Sequence, residues 1–288
     1  MNSKGKFKFQ IILLLFVVAL CAIAISGCGG IFQQVCQDDR IESFSFIVMA
    51  DPHASESVRN GYEKFGSARD KFKLCLDRVS EINEVNPVDF VLIAGDIHLW
   101  AIDDLITDFD LPVHLVAGNH ATTEHKKQLR DFFADDFKVN GRESDYYSFV
   151  HKGVRFIGIC NAILDDHVGH LSSESIIPLG QPEWLETELN KTEKEKVVFG
   201  HIPPHPEAKD DHMCMSRNDS MFFNDLVRRT KPTVMFFGHQ HNPKKLSISG
   251  CDSYVVRSTS WNFNNLPIGF LLVSFQKDGV IVKDIIIE

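Results

Sequence analysis

The sequence predicts an α/β fold. Five apolar, β-branched or aromatic runs of strand length each end abruptly in Asp, Asn or His. Segments with helical spacing of apolar residues lie between them. Of 288 residues, 44% are hydrophobic and 24% charged, which supports a folded core and excludes a disordered or collagen-like chain. There is no internal repeat and no low-complexity segment.

The chain starts unevenly. Lys4, Lys6 and Lys8 precede an apolar run from Ile11 to Ile25, which exits through Ser26, Gly27 and Cys28. A basic region, a short apolar region and a small-residue exit read as a signal peptide. The run is short for a membrane-spanning helix, which needs about 20 apolar residues. The exit resembles the lipobox of bacterial lipoproteins, and that resemblance implies cleavage before Cys28 and lipid on its sulfur. An uncleaved anchor, or ordinary signal cleavage with Cys28 incidental, are the alternatives. Residues 1–27 are therefore expected to be a signal peptide, 28–43 a polar, glycine-led tether, and 44–288 one domain. Loss of residues 1–27 removes three lysines and no acid, taking the net charge from −9 to −12. Beyond Cys21 and Cys28, five cysteines remain, so at least one stays unpaired within the chain. Cys75 and Cys160 sit in apolar patterns and read as core thiols.

Phe44 to Ala50 runs into Asp51, Pro52 and His53. Phe90 to Ala94 runs into Gly95, Asp96, Ile97 and His98. Val113 to Ala117 leads to Gly118, Asn119 and His120. Val197 to Phe199 leads to Gly200 and His201, and Val234 to Phe237 leads to Gly238, His239, Gln240 and His241. These runs read as buried strands. Ala68, Phe72, Cys75, Leu76, Val79 and Ile82 have helix spacing, and Gln181 to Leu189 and Met221 to Arg229 also read as helices. In open α/β sheets, sites form at the carboxyl ends of strands. One such His or Asp would read as a structural or turn residue; five strand ends delivering Asp, Asn or His are not explained by capping. Imidazole and carboxylate together suit Zn, Fe or Mn better than Ca. Two carboxylates, an amide and several imidazoles suffice for two metals that share a bridging carboxylate.

In this order, Asp-x-His, Gly-Asp, Gly-Asn-His, Gly-His and Gly-His-x-His resemble the calcineurin-like metallophosphoesterase superfamily, over about residues 44 to 288. The segment Gln181 to Leu189 resembles the helix before the family's fourth motif, and the strands Gly269 to Ser274 and Gly279 to Ile287 resemble its closing hairpin. The resemblance implies a four-layer α-β-β-α sandwich with two central mixed sheets. It implies that Asp51, His53, Asp96 and His241 hold one divalent metal and that Asp96, Asn119, His201 and His239 hold the other. It implies that His120 is no ligand but faces the substrate and protonates the leaving oxygen. Hydrolysis of a phosphomonoester or phosphodiester by a metal-bridging hydroxide follows from the same resemblance, with Mn, Fe or Zn as the ions.

Two departures bear on catalysis. Ala121 follows His120 where many members carry Asp or Glu, and Leu99 stands where many carry a polar residue three positions after the second-motif Asp. A histidine without an orienting partner is usually a poorer acid. His98 either replaces a missing contact or faces solvent. Asp165, Asp166, His167 and His170 read as a solvated loop. The loop of about residues 202 to 218, with His205 and His212, either covers the site or is a surface connection. His114 and His151 read as structural or surface residues, and the many Phe residues as core.

The expected function is that of a lipid-anchored, extracytoplasmic phosphoesterase of a bacterial cell envelope, acting on a phosphorylated small molecule or envelope phosphate. The alternative is a metal-bound but weak or inactive surface binding lipoprotein. The acidic balance argues against a nucleic-acid docking surface. It does not argue against phosphate, because bound divalent ions would reverse the local charge.

Overall fold

Sheet topology brings the ends of distant strands together. The computed structural model describes residues 42–288; the signal segment, Cys28 and nearly all of the tether lie outside the described residues. The order is β1 (Phe44–Met49), α1 (Ala68–Val85), β2 (Val91–Ala94), α2 (Asp103–Thr107), β3 (Val113–Val116) and α3 (Thr123–Phe132). A hairpin of β4 (Lys138–Val139) and β5 (Arg142–Glu143) is followed by β6 (Tyr147–His151), β7 (Val154–Gly158), α4 (Gln181–Leu189) and β8 (Glu195–Phe199). Then come α5 (Arg217–Thr230), β9 (Val234–Phe237), β10 (Lys244–Ile248), β11 (Cys251–Val255), β12 (Gly269–Gln276) and β13 (Gly279–Ile286).

One sheet has the order β13-β12-β1-β2-β3 and the other β10-β11-β9-β8-β7-β6. Both are mixed. In the first, β1, β2 and β3 are parallel, and β12 runs antiparallel to both of its neighbours, β1 and β13. In the second, β7, β8, β9 and β11 are parallel, with antiparallel β6 and β10 at the edges. The expected two-sheet architecture is thus present.

Side-chain alternation explains the continuous apolar runs. Along β8, Val197 and Phe199 enter the core between the sheets, while Val198 enters the core beneath the helices. Along β9, Val234 and Phe236 take the first and Met235 and Phe237 the second. A strand buried on both faces has no reason to alternate in polarity. Leu185 and Leu189 of α4 and Phe223, Leu226 and Val227 of α5 cover the outer face of the second sheet. Phe72, Cys75, Leu76, Val79 and Ile82 of α1 join the larger core with the first sheet. The four layers are helices, sheet, sheet and helices.

The helices begin where local chemistry allows. Ser67 caps α1 through the Asp70 N–H, and Asp70 accepts from the Ser67 N–H in return, a reciprocal capping box. Helix α5 starts at Arg217, four residues before the apolar spacing begins, because Ser216 accepts from the Asp219 N–H and starts a polar first turn. Cys75 and Cys160 are buried free thiols, as read; Cys214 is buried and Cys251 half-buried, both also free. His114 and His151 pair with Asp136 and Asp89 at 2.7 and 2.5 Å. No helix among the described residues is long and apolar enough to cross a membrane.

Phe46 joins the sheets. Its fully buried ring lies 5.2 Å from Phe90, 5.2 Å from Phe156 and 6.1 Å from Phe236, the last two edge-on. Phe46→Ala is expected to cost about 3–5 kcal/mol in denaturant unfolding with metal chelated. A loss below about 1 kcal/mol would show that the inter-sheet core does not depend on this contact.

Candidate metal centre

Five turns, three from the first sheet and two from the second, deliver the polar side chains. Asp51 and His53 follow β1, Asp96 follows β2, and Asn119 and His120 follow β3. His201 follows β8, and His239 and His241 follow β9. All seven expected ligands are buried, none more than 4% exposed. Oxygen or nitrogen atoms of Asp51, His53 and His241 lie within 4.8 Å of one another, as do those of Asp51, Asp96 and His201. Asp51 belongs to both sets, and Asp96 Oδ2 of the second set lies 3.5 Å from His53 Nε2 of the first and 3.3 Å from His201 Nε2.

The histidine tautomers show what this space accommodates. His201 Nδ1 lies 2.8 Å from the Ala94 carbonyl, His241 Nδ1 2.6 Å from the Trp261 carbonyl, and His239 Nε2 3.1 Å from the His167 carbonyl. A carbonyl only accepts, so these nitrogens carry the proton and donate. In the neutral rings of His239 and His241 the opposite nitrogen then turns a lone pair inward, whereas Asp96 keeps His201 protonated in the metal-free chain. His201 Nε2 and His239 Nδ1 face Asn119 Oδ1 at 3.0 and 3.1 Å. His241 Nε2 faces His53 Nε2 at 3.0 Å and Asp51 Oδ1 at 3.5 Å. Asn119 turns its oxygen to the histidines and leaves its buried Nδ2 without a partner. Carboxylates, an amide oxygen and imidazole nitrogens converge in one buried space, a donor set that suits divalent transition metals. The residues present fit two divalent ions.

The backbone is bent to make this arrangement. Asp51, His53, Asp96, His239 and His241 all have positive φ, between 43 and 67°. For non-glycine residues this conformation costs of order 1–2 kcal/mol each, and such residues gather at functional sites. Gly118 is required for close approach: a Cβ there would meet Asp96 Oδ1 at 2.1 Å and the Asp96 nitrogen at 2.3 Å.

Burial controls protonation in the metal-free chain. It pushes His53 and His239 down to about 3 and His241 down to about 4. It pushes Asp51 up to about 8. Burial also works against charge on His201, but the adjacent Asp96 carboxylate outweighs it and holds His201 up to about 9. Burial raises Asp96 too, but His201, His53 and His120 together outweigh it and hold the carboxyl well below the usual range.

His120 stands at the rim with its side chain 43% exposed. Its N–H donates to Asp96 Oδ1, and its Nε2 is 3.9 Å from Asp96 Oδ2. Its imidazole makes no hydrogen bond among the described residues. Ala121 and Leu99 are buried in the apolar core and offer it nothing. His98 accepts or donates at Ser55 Oγ, 2.9 Å away, and lies outside the groups that could hold a metal.

The loop read as merely solvated does more through its backbone. The His167 carbonyl fixes His239, and the Asp165 N–H donates to the Asn119 carbonyl. Asp211, His212 and Met213 of the 202 to 218 loop line a cavity of about 330 Å³ with Gln240, Asn242, Lys244 and Phe263. Sequence reasoning missed Asn161. Its Oδ1 accepts from the His201 and Ile202 N–H groups and its Nδ2 donates to the Ile202 carbonyl, holding the His201 turn. The signal was available: Phe156 to Cys160 is another apolar run ending in an amide. Trp261, stacked on His241 at 3.8 Å, was also missed and has no local signature.

The family model for calcineurin-like phosphoesterases matches residues 44–243. The chain belongs to that family. As a metallophosphoesterase it has relatives of similar size. A "Probable cyclic nucleotide phosphodiesterase" of Vesicomyosocius okutanii is 23% identical over 82% of this chain and 96% of its own length. A second protein so named, from Fibrobacter succinogenes, is 26% identical over 60% of this chain and 65% of its own length. Among solved structures, a dimetal phosphatase from Danio rerio shares the fold, with a TM-score of 0.61 and 18% identity over 85% of this chain and 96% of that one.

The protonation pattern sets a pH dependence. Between pH 6.5 and about 4, the unfolded metal-free chain holds protons on His53, His239 and His241 that the folded chain lacks, while the folded chain holds one extra on Asp51. The unfolded state therefore binds more protons, and stability must fall as pH falls through this window. Urea titrations in chelator at pH 6.5 and 4.5 check this; equal or greater stability at pH 4.5 would contradict the buried neutral histidines.

Proposed function

We propose that this metallophosphoesterase hydrolyses a phosphodiester, with a cyclic nucleotide as the leading substrate class. The inward-facing set of acceptor atoms carries the reading. Asp51, His53, Asp96 and His241 would hold one ion, and Asp96, Asn119, His201 and His239 the other. When bound, two divalent ions supply Lewis-acid activation of water and neutralise charge on the phosphoryl oxygens. Mn, Fe or Zn fits the donor set. The names of the two curated relatives support a cyclic nucleotide over a monoester.

The protein's own part is positioning and proton transfer. Backbone carbonyls fix the tautomers of His201, His239 and His241, so their inward atoms need no rearrangement when substrate arrives. His120 is the exposed imidazole at the rim and delivers the proton to the leaving oxygen. The basic and apolar start, with Cys28 at its exit, supports an anchor that holds the domain at the outer side of a bacterial membrane.

His120 also favours a second reading, a metal-bound protein of weak activity, because Ala121 and Leu99 leave its ring unoriented. A panel of 3′,5′- and 2′,3′-cyclic nucleotides, bis-p-nitrophenyl phosphate and p-nitrophenyl phosphate, assayed with Mn, separates the two. Diester hydrolysis abolished by EDTA supports the first; two bound metals with no turnover support the second. His120→Gln is expected to lower kcat on a cyclic nucleotide by about 10²–10⁴ with metal content unchanged. The loss should be smaller for p-nitrophenyl esters, whose leaving group needs no proton. An equal loss on both would remove His120 from proton delivery.

A further inference from the structure

The two metal positions are supported differently. At the second, the outer nitrogens of His201 and His239 are held by carbonyls of Ala94 and His167. At the first, the support runs through side chains to the surface. Trp261 holds His241 twice, with its carbonyl on Nδ1 and its indole against the imidazole at 3.8 Å and 19°. The Arg59 guanidinium carbon lies 3.4 Å from the Trp261 ring centre, which makes a stack of guanidinium, indole and imidazole. Arg59 also lies 3.8 Å from Glu56 Oε2, and Glu56 Oε1 is 3.4 Å from His53 Nδ1. That Nδ1 is buried and makes no hydrogen bond, which leaves the Glu56 carboxylate as its charged neighbour. One residue thus touches both partners of the two histidines whose Nε2 atoms meet at 3.0 Å.

We propose that Arg59 is a positioning residue for the first metal position, holding His53 through Glu56 and His241 through Trp261. The proposal rests on the two-metal reading above. Arginine suits the task because a planar guanidinium can stack on an indole and face a carboxylate at once, which an ammonium cannot. Its neighbours limit its freedom. The Tyr62 N–H donates to the Arg59 carbonyl, and the Tyr62 hydroxyl is tied to the Asn262 and Leu266 carbonyls of the loop that carries Trp261. The segment with Arg59 and Glu56 and the segment with Trp261 therefore form one bracket around the first position. Groups that orient metal ligands typically contribute 10- to 100-fold in metal affinity.

The test is titration of the metal-free full chain with Co²⁺, followed by calorimetry and by visible absorption. Arg59→Met keeps the aliphatic stem and loses the planar cation. It is expected to weaken one of two Co²⁺ equivalents by about 10- to 100-fold, to change the absorption of that equivalent, and to leave the other alone. Glu56→Gln should weaken the same equivalent, and the double variant should lose less than the sum of the two because both act in one chain of contacts. Unchanged binding in both single variants, or equal weakening of both equivalents, overturns the proposal. A wild-type chain that takes up fewer than two equivalents overturns the two-metal reading itself, and the proposal with it. Unfolding in chelator should be the same for wild type and variants, since Arg59 is 44% exposed.

Discussion

The structure turns on metal-ligating atoms crowded into one buried space. His53 Nε2 and His241 Nε2 meet at 3.0 Å in a buried space, and Asn119 Oδ1 faces two more imidazole nitrogens. Buried acceptors without donors are costly. Two mixed sheets, packed so that the carboxyl ends of their parallel strands lie together, hold these atoms where the chain alone would not. The aromatic contacts of Phe46 and the strained backbone at five ligand positions are parts of one arrangement: the core holds the sheets together, and the turns aim the side chains.

This division of labour accounts for what the sequence revealed. A metal ligand needs a particular side-chain chemistry at a particular strand end, so Asp51, Asp96, Asn119, His201, His239 and His241 stood out against the apolar runs before them. The same runs revealed the fold class, because strands buried on both faces lose polar alternation. Residues that act on other residues were harder to read. Asn161 serves backbone amides, a role any turn residue could fill. Arg59 and Trp261 are 202 positions apart in the chain, and their stack exists only once the fold has closed. The half-buried and edge strands β6, β10 and β11 carry mixed polarity and gave no clear run.

Catalytic parts differ in how firmly they are held. His201, His239 and His241 are buried and fixed by carbonyls, whereas His120 is exposed and without an orienting side chain. Ala121 and Leu99 have become core residues, so the positions that orient the acid in many family members here contribute packing instead. The site is therefore built more firmly for binding ions and phosphate than for proton delivery.

Two cations among the buried ligand atoms would stabilise the folded chain. Equilibrium unfolding of the full chain against free Mn²⁺ or Zn²⁺ tests it most directly. Above saturation, each ion bound only to the folded state adds about 1.4 kcal/mol per tenfold rise in free metal. The account predicts a limiting slope of about 2.8 kcal/mol, two ions' worth. A stability that does not change with free metal would contradict it.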